Sequence, residues 1–384
     1  MSSARRIMVG SVPVGGGAPV SVQSMTCTHT GDAEATLAQV RALVDAGCEL
    51  VRVSLPTVEE APAFARVVRE APALPHAGAG GQGGGAANAG APVPIIADIH
   101  YDWRLALAAI EAGAAAIRIN PGTMAEKHVR EIVRAAAEAR VPTGPPDGEE
   151  VPVAIRIGVN AGSLPVDLRD KAEREPAEAL VEAALRWAAQ FDDWGFAAYK
   201  LSVKSSSVPA TIAAYRLLAE RSGAPLHVGV TEAGTLWGGT VKSAVGIGAL
   251  LAEGIGDTIR VSLTGDPVEE VRVAWKILAA LGLRRRGPDV ISCPTCGRTE
   301  VDIVALAEEV ERRLGSDPDL AARQITVAVM GCRVNGPEEA RHADYGIAAG
   351  AGEGWLFDHG ERVEALPEAQ LVDALLALVR GARA

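Results

Sequence analysis

The sequence predicts an α/β protein in which an N-terminal TIM (β/α)8 barrel is followed by a small α/β domain. Three observations lead to this prediction. Short β-like runs alternate with longer helix-like runs through most of the chain, and polar residues follow the apolar part of each β-like run. A second pattern begins after an arginine-rich break at 282–288. Alternating strands and helices form parallel βα units, and eight such units close into a barrel.

The β-like runs supply the number of strands that a closed barrel needs. There are eight, at 22–25, 50–54, 95–99, 117–120, 153–159, 199–204, 226–231 and 258–262. The stretches between them have apolar side chains at helical spacing and end at a glycine or a polar residue. The clearest of these helix-like stretches are 33–46, 103–112, 176–191, 208–222 and 267–281.

The chain divides into two predicted domains. We expect the barrel to span residues 1–282, with a flexible insert at 73–94, where a run of glycines is typical of a linker. The second domain should span residues 283–384. It contains one helical pattern, one strand-like alternation and a closing helical pattern, at 303–314, 325–330 and 367–380.

Composition limits the partners and the compartment. The chain has 384 residues, of which 48% are hydrophobic, so it can bury a substantial core. Its formal net charge of -11 argues against general nucleic-acid binding and against binding to anionic membrane surfaces. No apolar run reaches the length of a membrane span, and the N-terminus lacks the apolar region of a signal peptide. We therefore expect a cytoplasmic protein.

Cations lie near the C-terminal ends of five of the eight β-like runs. They are Arg52, Arg118, Arg156, Lys204 and Arg260. In a barrel these ends form one rim, where active sites are built. Cations held this close repel one another unless an anion joins them, and guanidinium groups bind phosphate oxygens through paired hydrogen bonds. The rim therefore predicts a polyanionic substrate, with a diphosphate favoured over a single carboxylate.

Other polar residues follow the same strand ends. Asn120 and Asn160 can add neutral hydrogen-bond donors to the cationic pocket. The remaining members of this group are Asp98, His100, Thr231, Glu232 and Ser262.

Three of the five cysteines are spaced like ligands. Cys293 and Cys296 are separated by two residues, and Cys332 follows 36 positions after Cys296 in a loop that also carries carboxylates. Structural zinc takes four Cys or His ligands, whereas iron-sulfur clusters take cysteines at such short spacings and can leave one iron weakly held. Three cysteines without a fourth favour a reactive cluster. A structural zinc or a free dithiol stays open on spacing alone.

Several different short motifs occur along the chain. They are Val22-Gln23-Ser24-Met25-Thr26, Val51-Arg52-Val53-Ser54, Ala97-Asp98-Ile99-His100, Arg118-Ile119-Asn120-Pro121-Gly122, Arg156-Ile157-Gly158-Val159-Asn160, Thr231-Glu232-Ala233-Gly234, Cys293-Pro294-Thr295-Cys296 and Gly331-Cys332-Arg333-Val334-Asn335-Gly336-Pro337. This series resembles the bacterial 4-hydroxy-3-methylbut-2-enyl diphosphate synthase family, the reductive ring-opening enzymes of the non-mevalonate isoprenoid pathway. The resemblance covers nearly the whole chain.

The resemblance implies a cofactor and its ligands. Cys293, Cys296 and Cys332 would hold a 4Fe-4S cluster, and Glu339 would be its labile fourth ligand. A carboxylate is a hard ligand that matches cluster iron poorly, so it can yield to a substrate oxygen. The family pattern has glycine where this chain has Glu338. Two adjacent carboxylates are therefore candidates, and register favours Glu339.

The resemblance also implies the substrate and the partners. The substrate would be 2-C-methyl-D-erythritol 2,4-cyclodiphosphate, and the electron donor a flavodoxin or a ferredoxin. A homodimer is implied, in which the cluster domain of one subunit closes over the barrel of the other. The five rim cations would clamp the phosphates, assisted by Asn120, Asn160, Thr231 and Ser262.

Three further residues are candidates for proton transfer. Glu232 at the rim is the candidate proton donor, and Asp98 and His100 would orient or protonate the substrate. Two other protein classes stay open. One is a non-redox TIM-barrel enzyme that acts on a phosphorylated substrate and carries a structural zinc module. The other is a non-catalytic electron carrier or redox sensor, which has no need of a cationic rim.

Overall fold

The computed structural model of the protein describes residues 3–75, 90–144 and 148–381. These residues form two compact units, a barrel unit that ends at Arg284 and a C-terminal unit that begins at Arg285. Within the described ranges, no helix is long and apolar enough to cross a membrane.

The barrel unit contains twelve strands and nine α-helices among its described residues. The strands are β1 (Arg6–Val9), β2 (Val12–Gly15), β3 (Ser21–Met25), β4 (Leu50–Ser54), β5 (Ile95–Asp98), β6 (Ala116–Ile119), β7 (Val141–Pro142), β8 (Glu150–Val151), β9 (Ala154–Asn160), β10 (Tyr199–Lys204), β11 (His227–Val228) and β12 (Thr258–Ile259). The helices are α1 (Ala33–Asp45), α2 (Ala61–Arg69), α3 (Trp103–Glu111), α4 (Glu126–Glu138), α5 (Arg169–Arg174), α6 (Pro176–Asp193), α7 (Val208–Arg221), α8 (Leu236–Ala252) and α9 (Pro267–Ala280).

Eight parallel strands form the barrel, in the order β10-β9-β6-β5-β4-β3-β12-β11. A parallel bridge between Leu201 and Leu226 joins the first and last members of this order and closes the ring. Each of the eight predicted runs overlaps one of these strands. The TIM barrel predicted from the sequence is therefore confirmed.

Alternation along the strands separates the core from the barrel interior. In β6, Ile117 and Ile119 belong to the hydrophobic core that the strands share with the surrounding helices. Arg118 lies between them and points to the opposite face, because successive strand residues alternate. Arg156 has the same position between two isoleucines in β9. Buried cations thus point into the barrel.

Capping residues fix where the chain leaves the rim and enters a helix. The side chains of Asp32, Ser207 and Asp266 accept hydrogen bonds from backbone N–H groups in the first turns of α1, α7 and α9. A cap of this kind contributes about 1 kcal/mol to helix stability. The helices therefore begin close behind the strand ends that carry the site.

An antiparallel hairpin, which the sequence reading did not predict, lies at the other end of the barrel. β1 pairs with β2, and the turn residue Gly10 lies close to Pro94 and Ala115, which precede β5 and β6. The Ser3 hydroxyl donates to Asp257, which precedes β12, at 2.9 Å. Because these contacts involve residues in front of strands, the hairpin covers the N-terminal end of the barrel.

The predicted flexible insert at 73–94 has ordered ends, so the described residues narrow its bounds. Leu74 and Val93 donate backbone hydrogen bonds of 2.8 Å across the insert, and both side chains are buried in the core of the barrel unit. The two ends are therefore held together as a short antiparallel pair. Residues 76–89 of the insert lie outside the described residues.

The C-terminal unit is built on a five-stranded sheet, with the order β13-β14-β15-β16-β17. The first three strands are parallel and the last two are antiparallel. Its strands and helices are β13 (Asp289–Ser292), β14 (Thr326–Met330), β15 (Tyr345–Ala349), β16 (Glu353–Asp358), β17 (Glu361–Pro367), α10 (Ile303–Ser316), α11 (Pro318–Ala321), α12 (Gly336–Ala340) and α13 (Leu371–Gly381). Apolar residues of β14 and β15 pack with those of α10 and α13 in one core. The predicted strand and both predicted helices are present.

Candidate functional site

The five predicted rim cations all lie in or next to barrel strands. Arg52, Arg118, Arg156 and Lys204 are buried, at 7%, 6%, 2% and 7% exposure. The Arg260 side chain is 17% exposed. Full-length cationic side chains are rarely buried this deeply unless something pairs with them. The barrel interior is therefore unusually rich in positive charge.

Asp98, the last residue of β5, is the centre of one half of this cluster. Its carboxylate lies 3.4 Å from Arg118 Nη1 and 3.8 Å from Arg52 Nε. His100 Nε2 lies 3.2 Å from the same carboxylate, and His100 Nδ1 lies 3.4 Å from Arg118 Nη1. Burial acts to raise the pKa of Asp98, but Arg52, His100 and Arg118 outweigh it and hold that pKa well below its usual range. Asp98 is thus a fixed anion that orients two arginines.

Two cations in the other half of the cluster, Arg156 and Lys204, have no carboxylate partner among the described residues. Burial, followed by repulsion from neighbouring arginines, lowers the pKa of Arg156 and of Lys204 well below their usual values. Burial also lowers the pKa of Arg52 to about 9, against the opposing effect of Asp98. An anion bound among these groups would remove the repulsion.

Unpaired nitrogen atoms point to the same conclusion. Nε of Arg118 and Nε of Arg260 are buried and have no hydrogen-bond partner in the part of the chain that the structure describes. A buried donor without a partner costs about 1–3 kcal/mol. Acceptor oxygens on a bound anion would satisfy such donors.

Two glycines provide the space in which cationic side chains lie, and the sequence reading did not assign them a role. A Cβ atom at Gly158 would lie 2.9 Å from Arg118 Nε, and one at Gly229 would lie 2.9 Å from Lys204 Nζ. A glycine inside a strand often marks such a close approach, so Gly158 carried a readable signal.

Glu270 and Met25 are two further residues that the sequence reading missed. Glu270 of α9 is buried and accepts hydrogen bonds from Ser24 Oγ at 2.8 Å and from the backbone N–H of Leu263 at 3.0 Å. It also lies 3.4 Å from Arg260 Nη2. The Met25 thioether lies 3.1 Å from Arg52 Nε and 3.0 Å from Arg52 Nη2. Glu270 thus contacts Arg260 and Met25 contacts Arg52, and both contacts restrict the position of a guanidinium group.

The predicted neutral residues divide into two groups. Asn160 accepts from Arg118 Nη2 at 3.1 Å when its amide oxygen faces the guanidinium, so it belongs to the cluster. Asn120 uses its side-chain oxygen to accept from the backbone of Gly122 at 3.2 Å. Thr231 and Ser262 are half-buried at the rim.

Glu232 is exposed and has a left-handed backbone, with φ of 53°. This conformation is uncommon for a residue with a side chain, and it is frequent at functional sites. Glu232 lies in the loop that follows β11, the seventh barrel strand in chain order. Its position fits a group that acts on a molecule bound at the rim.

The three predicted cysteine ligands lie in neighbouring loops of the C-terminal unit. Cys293 follows β13 and Cys332 follows β14, and these two strands are adjacent and parallel. The Gly331 N–H donates to Cys293 Sγ at 3.2 Å. The loop that carries Cys296 is tied to the same place, because the Glu300 N–H donates to the Gly331 carbonyl at 2.9 Å.

The surroundings of the thiols fit a cluster. Backbone N–H groups, that of Asn335 foremost, lower the pKa of Cys332 and so favour its thiolate form. Hydrogen bonds to sulfur of this kind are typical of iron-sulfur sites. Over the described ranges, no three Cys, His, Asp or Glu side chains converge on a single ion position. A cubic cluster does not require that convergence, because its ligands bind different irons.

The two candidate carboxylates of α12 differ in their contacts. Glu338 is paired with Arg341 across 3.6 Å. Glu339 is exposed, and its carboxylate has no ion pair or hydrogen bond within the described chain. Of the two carboxylates, that of Glu339 is the one available to act as a metal ligand.

Comparison with known proteins covers both units. The model of the GcpE TIM-barrel domain matches residues 4–275, and that of the GcpE protein C-terminal domain matches residues 289–381. A 4-hydroxy-3-methylbut-2-en-1-yl diphosphate synthase (flavodoxin) of Geobacter sulfurreducens is 52% identical, covering 98% of this chain and 96% of the relative. The protein of that name from Salinispora tropica is 49% identical, with coverages of 97% and 87%. The one from Aquifex aeolicus is 47% identical, with coverages of 97% and 94%.

These matches confirm the resemblance drawn from the motifs. They extend through the barrel strands that carry the cations and through the loops that carry the three cysteines. The chain belongs to the GcpE family.

Proposed function

We propose that the protein catalyses the two-electron reductive dehydration and ring opening of 2-C-methyl-D-erythritol 2,4-cyclodiphosphate. The product is 4-hydroxy-3-methylbut-2-enyl diphosphate, an intermediate of isoprenoid biosynthesis. The names of the relatives and the chemistry of the barrel interior support this proposal. The observation that carries it is a pair of buried cations, Arg156 and Lys204, that have no carboxylate partner in the part of the chain that the structure describes.

The barrel unit binds the substrate. Five cations lie in or next to the barrel strands, whereas among the described residues Asp98 and Glu270 are the carboxylates that pair with them. A compact diphosphate supplies the missing negative charge, and the arginine forks match its oxygens. Asn120, Asn160, Thr231 and Ser262 add neutral contacts around the organic part.

The C-terminal unit holds a 4Fe-4S cluster through Cys293, Cys296 and Cys332, with Glu339 as the fourth ligand. When bound, the cluster supplies electrons one at a time and a Lewis-acidic iron. Glu339 suits the role of a displaceable ligand because it is a hard donor on a soft site and its carboxylate has no ion pair or hydrogen bond among the described residues.

Proton transfer and orientation fall to residues of the rim. Two electrons and two protons convert the cyclic diphosphate into the linear diphosphate and water, so a proton donor is required at the breaking C–O bonds. Glu232 is that donor, since it is exposed at the rim in a constrained backbone. Asp98 stays ionised and holds Arg52 and Arg118, while His100 lies between Asp98 and solvent and can orient or protonate the substrate.

The partners are an electron-donating flavodoxin, with a ferredoxin as the alternative donor, and a second copy of the chain. The exposed face of α8 supports a homodimer. Trp237, Val241 and Val245 follow one another at four-residue spacing and are 83%, 49% and 54% exposed. Apolar patches of this kind mark protein interfaces. The cytoplasm stays the predicted compartment, because its reducing conditions keep ligand thiols available.

The test is turnover under argon with a chemical reductant and the cyclic diphosphate, followed by phosphorus NMR. We expect the signals of the ring diphosphate to be replaced by those of a linear diphosphate. Iron-loaded protein that leaves the substrate unchanged would refute the proposal. Zinc without iron or sulfide in anaerobically purified protein would favour the non-redox alternative.

The Glu232→Gln variant tests the proton donor separately. Glutamine keeps the size and hydrogen-bonding capacity of the side chain but cannot release a proton. We expect unchanged iron content and unchanged substrate affinity with loss of turnover. Normal turnover in this variant would remove Glu232 from the role.

A further inference from the structure

His227 lies inside the barrel on β11 and is completely buried. Both of its ring nitrogens have partners. Nδ1 lies 2.6 Å from Thr258 Oγ1, and Nε2 lies 3.3 Å from Lys204 Nζ. The imidazole therefore connects the neighbouring strand β12 to the terminal ammonium of the cationic cluster.

The partners define which ring nitrogen carries the proton. When Lys204 is charged, as a phosphate ligand requires, its ammonium has only N–H donors, and Nε2 accepts from it. The proton then lies on Nδ1, which donates to the Thr258 hydroxyl. Burial, followed by repulsion from Lys204 and Arg156, lowers the pKa of His227 well below its usual value, so the ring is neutral.

The position of Lys204 depends on this single contact. In the described part of the chain, Nζ of Lys204 has no carboxylate partner, and the imidazole is its hydrogen-bond acceptor. The ammonium also lies close to the backbone just after β11, because a Cβ atom at Gly229 would lie 2.9 Å from Nζ. The ammonium thus lies next to the ring and next to a backbone position that has no side chain.

A neutral acceptor has a consequence that a carboxylate would not have. A carboxylate beside Lys204 would fix the ammonium but would also neutralise it, which weakens its attraction for phosphate oxygens. The imidazole lone pair orients one N–H and leaves the positive charge intact. Two N–H groups remain for the ligand.

We propose that His227 is a positioning residue, which holds the Lys204 ammonium in place for the diphosphate and is itself fixed by Thr258. This inference rests on the proposed function, in which Lys204 binds the substrate phosphates. It adds a residue that touches no substrate but sets the affinity for it.

The test is a double-mutant cycle between His227 and Lys204, with substrate affinity as the readout. Asn at position 227 keeps a polar group near Thr258 and removes the partner of Lys204. Gln reaches further and restores an acceptor near the position of Nε2. Isothermal titration of anaerobic, iron-loaded protein with 2-C-methyl-D-erythritol 2,4-cyclodiphosphate gives the Kd, and iron content reports on correct folding.

We expect His227→Asn to raise the Kd on the order of 10-fold and His227→Gln to bring it back to within about 3-fold of the wild type. Lys204→Met should raise the Kd by roughly 10- to 100-fold. In the Lys204→Met background, His227→Asn should cause no further loss, because the group that it positions is gone.

Each contrary outcome points to a different error. An unchanged Kd for Lys204→Met overturns the phosphate clamp itself. Suppose that Lys204→Met weakens binding and that His227→Asn weakens it by the same factor with and without Lys204. Lys204 then binds the phosphates, but His227 does not position it. Equal losses in the Asn and Gln variants would likewise overturn the positioning role.

Discussion

Replacing Lys200 by methionine should stabilise the protein. Lys200 lies on β10 inside the barrel at 1% exposure, and its Nζ has no hydrogen-bond partner among the described residues. Burial, with repulsion from Arg156, lowers its pKa from 10.5 to about 7. Methionine has nearly the same length and shape and carries no charge. The variant therefore removes a buried charge without leaving a large cavity.

The size and the pH dependence of the effect follow from the two pKa values. The folded value is the lower one, so the unfolded chain binds more protons between pH 7 and pH 10.5, and wild-type stability rises with pH in that window. The penalty is fully present below pH 7. A gap of 3.5 units, 10.5 less 7, corresponds to about 5 kcal/mol. Because water entry and relaxation reduce such penalties, we expect a gain of about 2 to 4 kcal/mol at pH 6.

The measurement is urea unfolding at several pH values between 6 and 10, followed by circular dichroism under argon. The difference between the variant and the wild type should be largest at pH 6 and should shrink as the pH rises. Lys127→Met, at an exposed position of α4, is the matched control and should show no such trend. A variant less stable than the wild type at pH 6, or a gain that is independent of pH, would contradict an uncompensated buried charge.

Three other predictions concern the cluster ligand, the interface and the rim. Glu339→Gln should lower iron retention and turnover, while Glu338→Gln should resemble the wild type. Iron analysis and electron paramagnetic resonance of both variants measure the cluster content, and the reverse pattern would assign the ligand to Glu338. Trp237→Glu should convert a dimer into a monomer, as measured by light scattering, whereas Leu283→Glu, at an exposed residue outside α8, should leave the dimer intact. A dimer that survives Trp237→Glu would show that the exposed face of α8 is not the dimer interface. Glu270→Gln should raise the substrate Kd about 3- to 10-fold and lower the free energy of unfolding by ~1–3 kcal/mol, since buried donors lose a charged acceptor. An unchanged Kd would show that Glu270 does not contribute to substrate binding.

The barrel and its cationic rim were predictable because they depend on local patterns. Alternation of period two and the position of each cation after an apolar run are visible within a few residues. Arg118 between two isoleucines is the simplest case, since one strand assigns it to the interior. The cysteine spacing is similarly local for Cys293 and Cys296.

The residues that hold the cations in place were not predictable from such patterns. Glu270 meets Ser24 across 246 positions of sequence, and His227 meets Thr258 across 31. These contacts depend on strand register and helix placement, which no short window contains. In the C-terminal unit, β17 was missed because all but one of its residues are exposed, so it has no apolar alternation to read.

The most direct test of the cationic barrel interior is calorimetric titration of anaerobic, iron-loaded protein with 2-C-methyl-D-erythritol 2,4-cyclodiphosphate. Arg156→Met removes a buried cation that has no ion-pair partner within the described ranges, and Arg130→Met changes an exposed arginine of α4 as a control. We predict one binding site per chain, a Kd that rises roughly 10- to 100-fold in Arg156→Met at unchanged iron content, and no change in Arg130→Met. No binding by the wild type, or equal affinity of the wild type and Arg156→Met, would contradict a diphosphate site built from these cations.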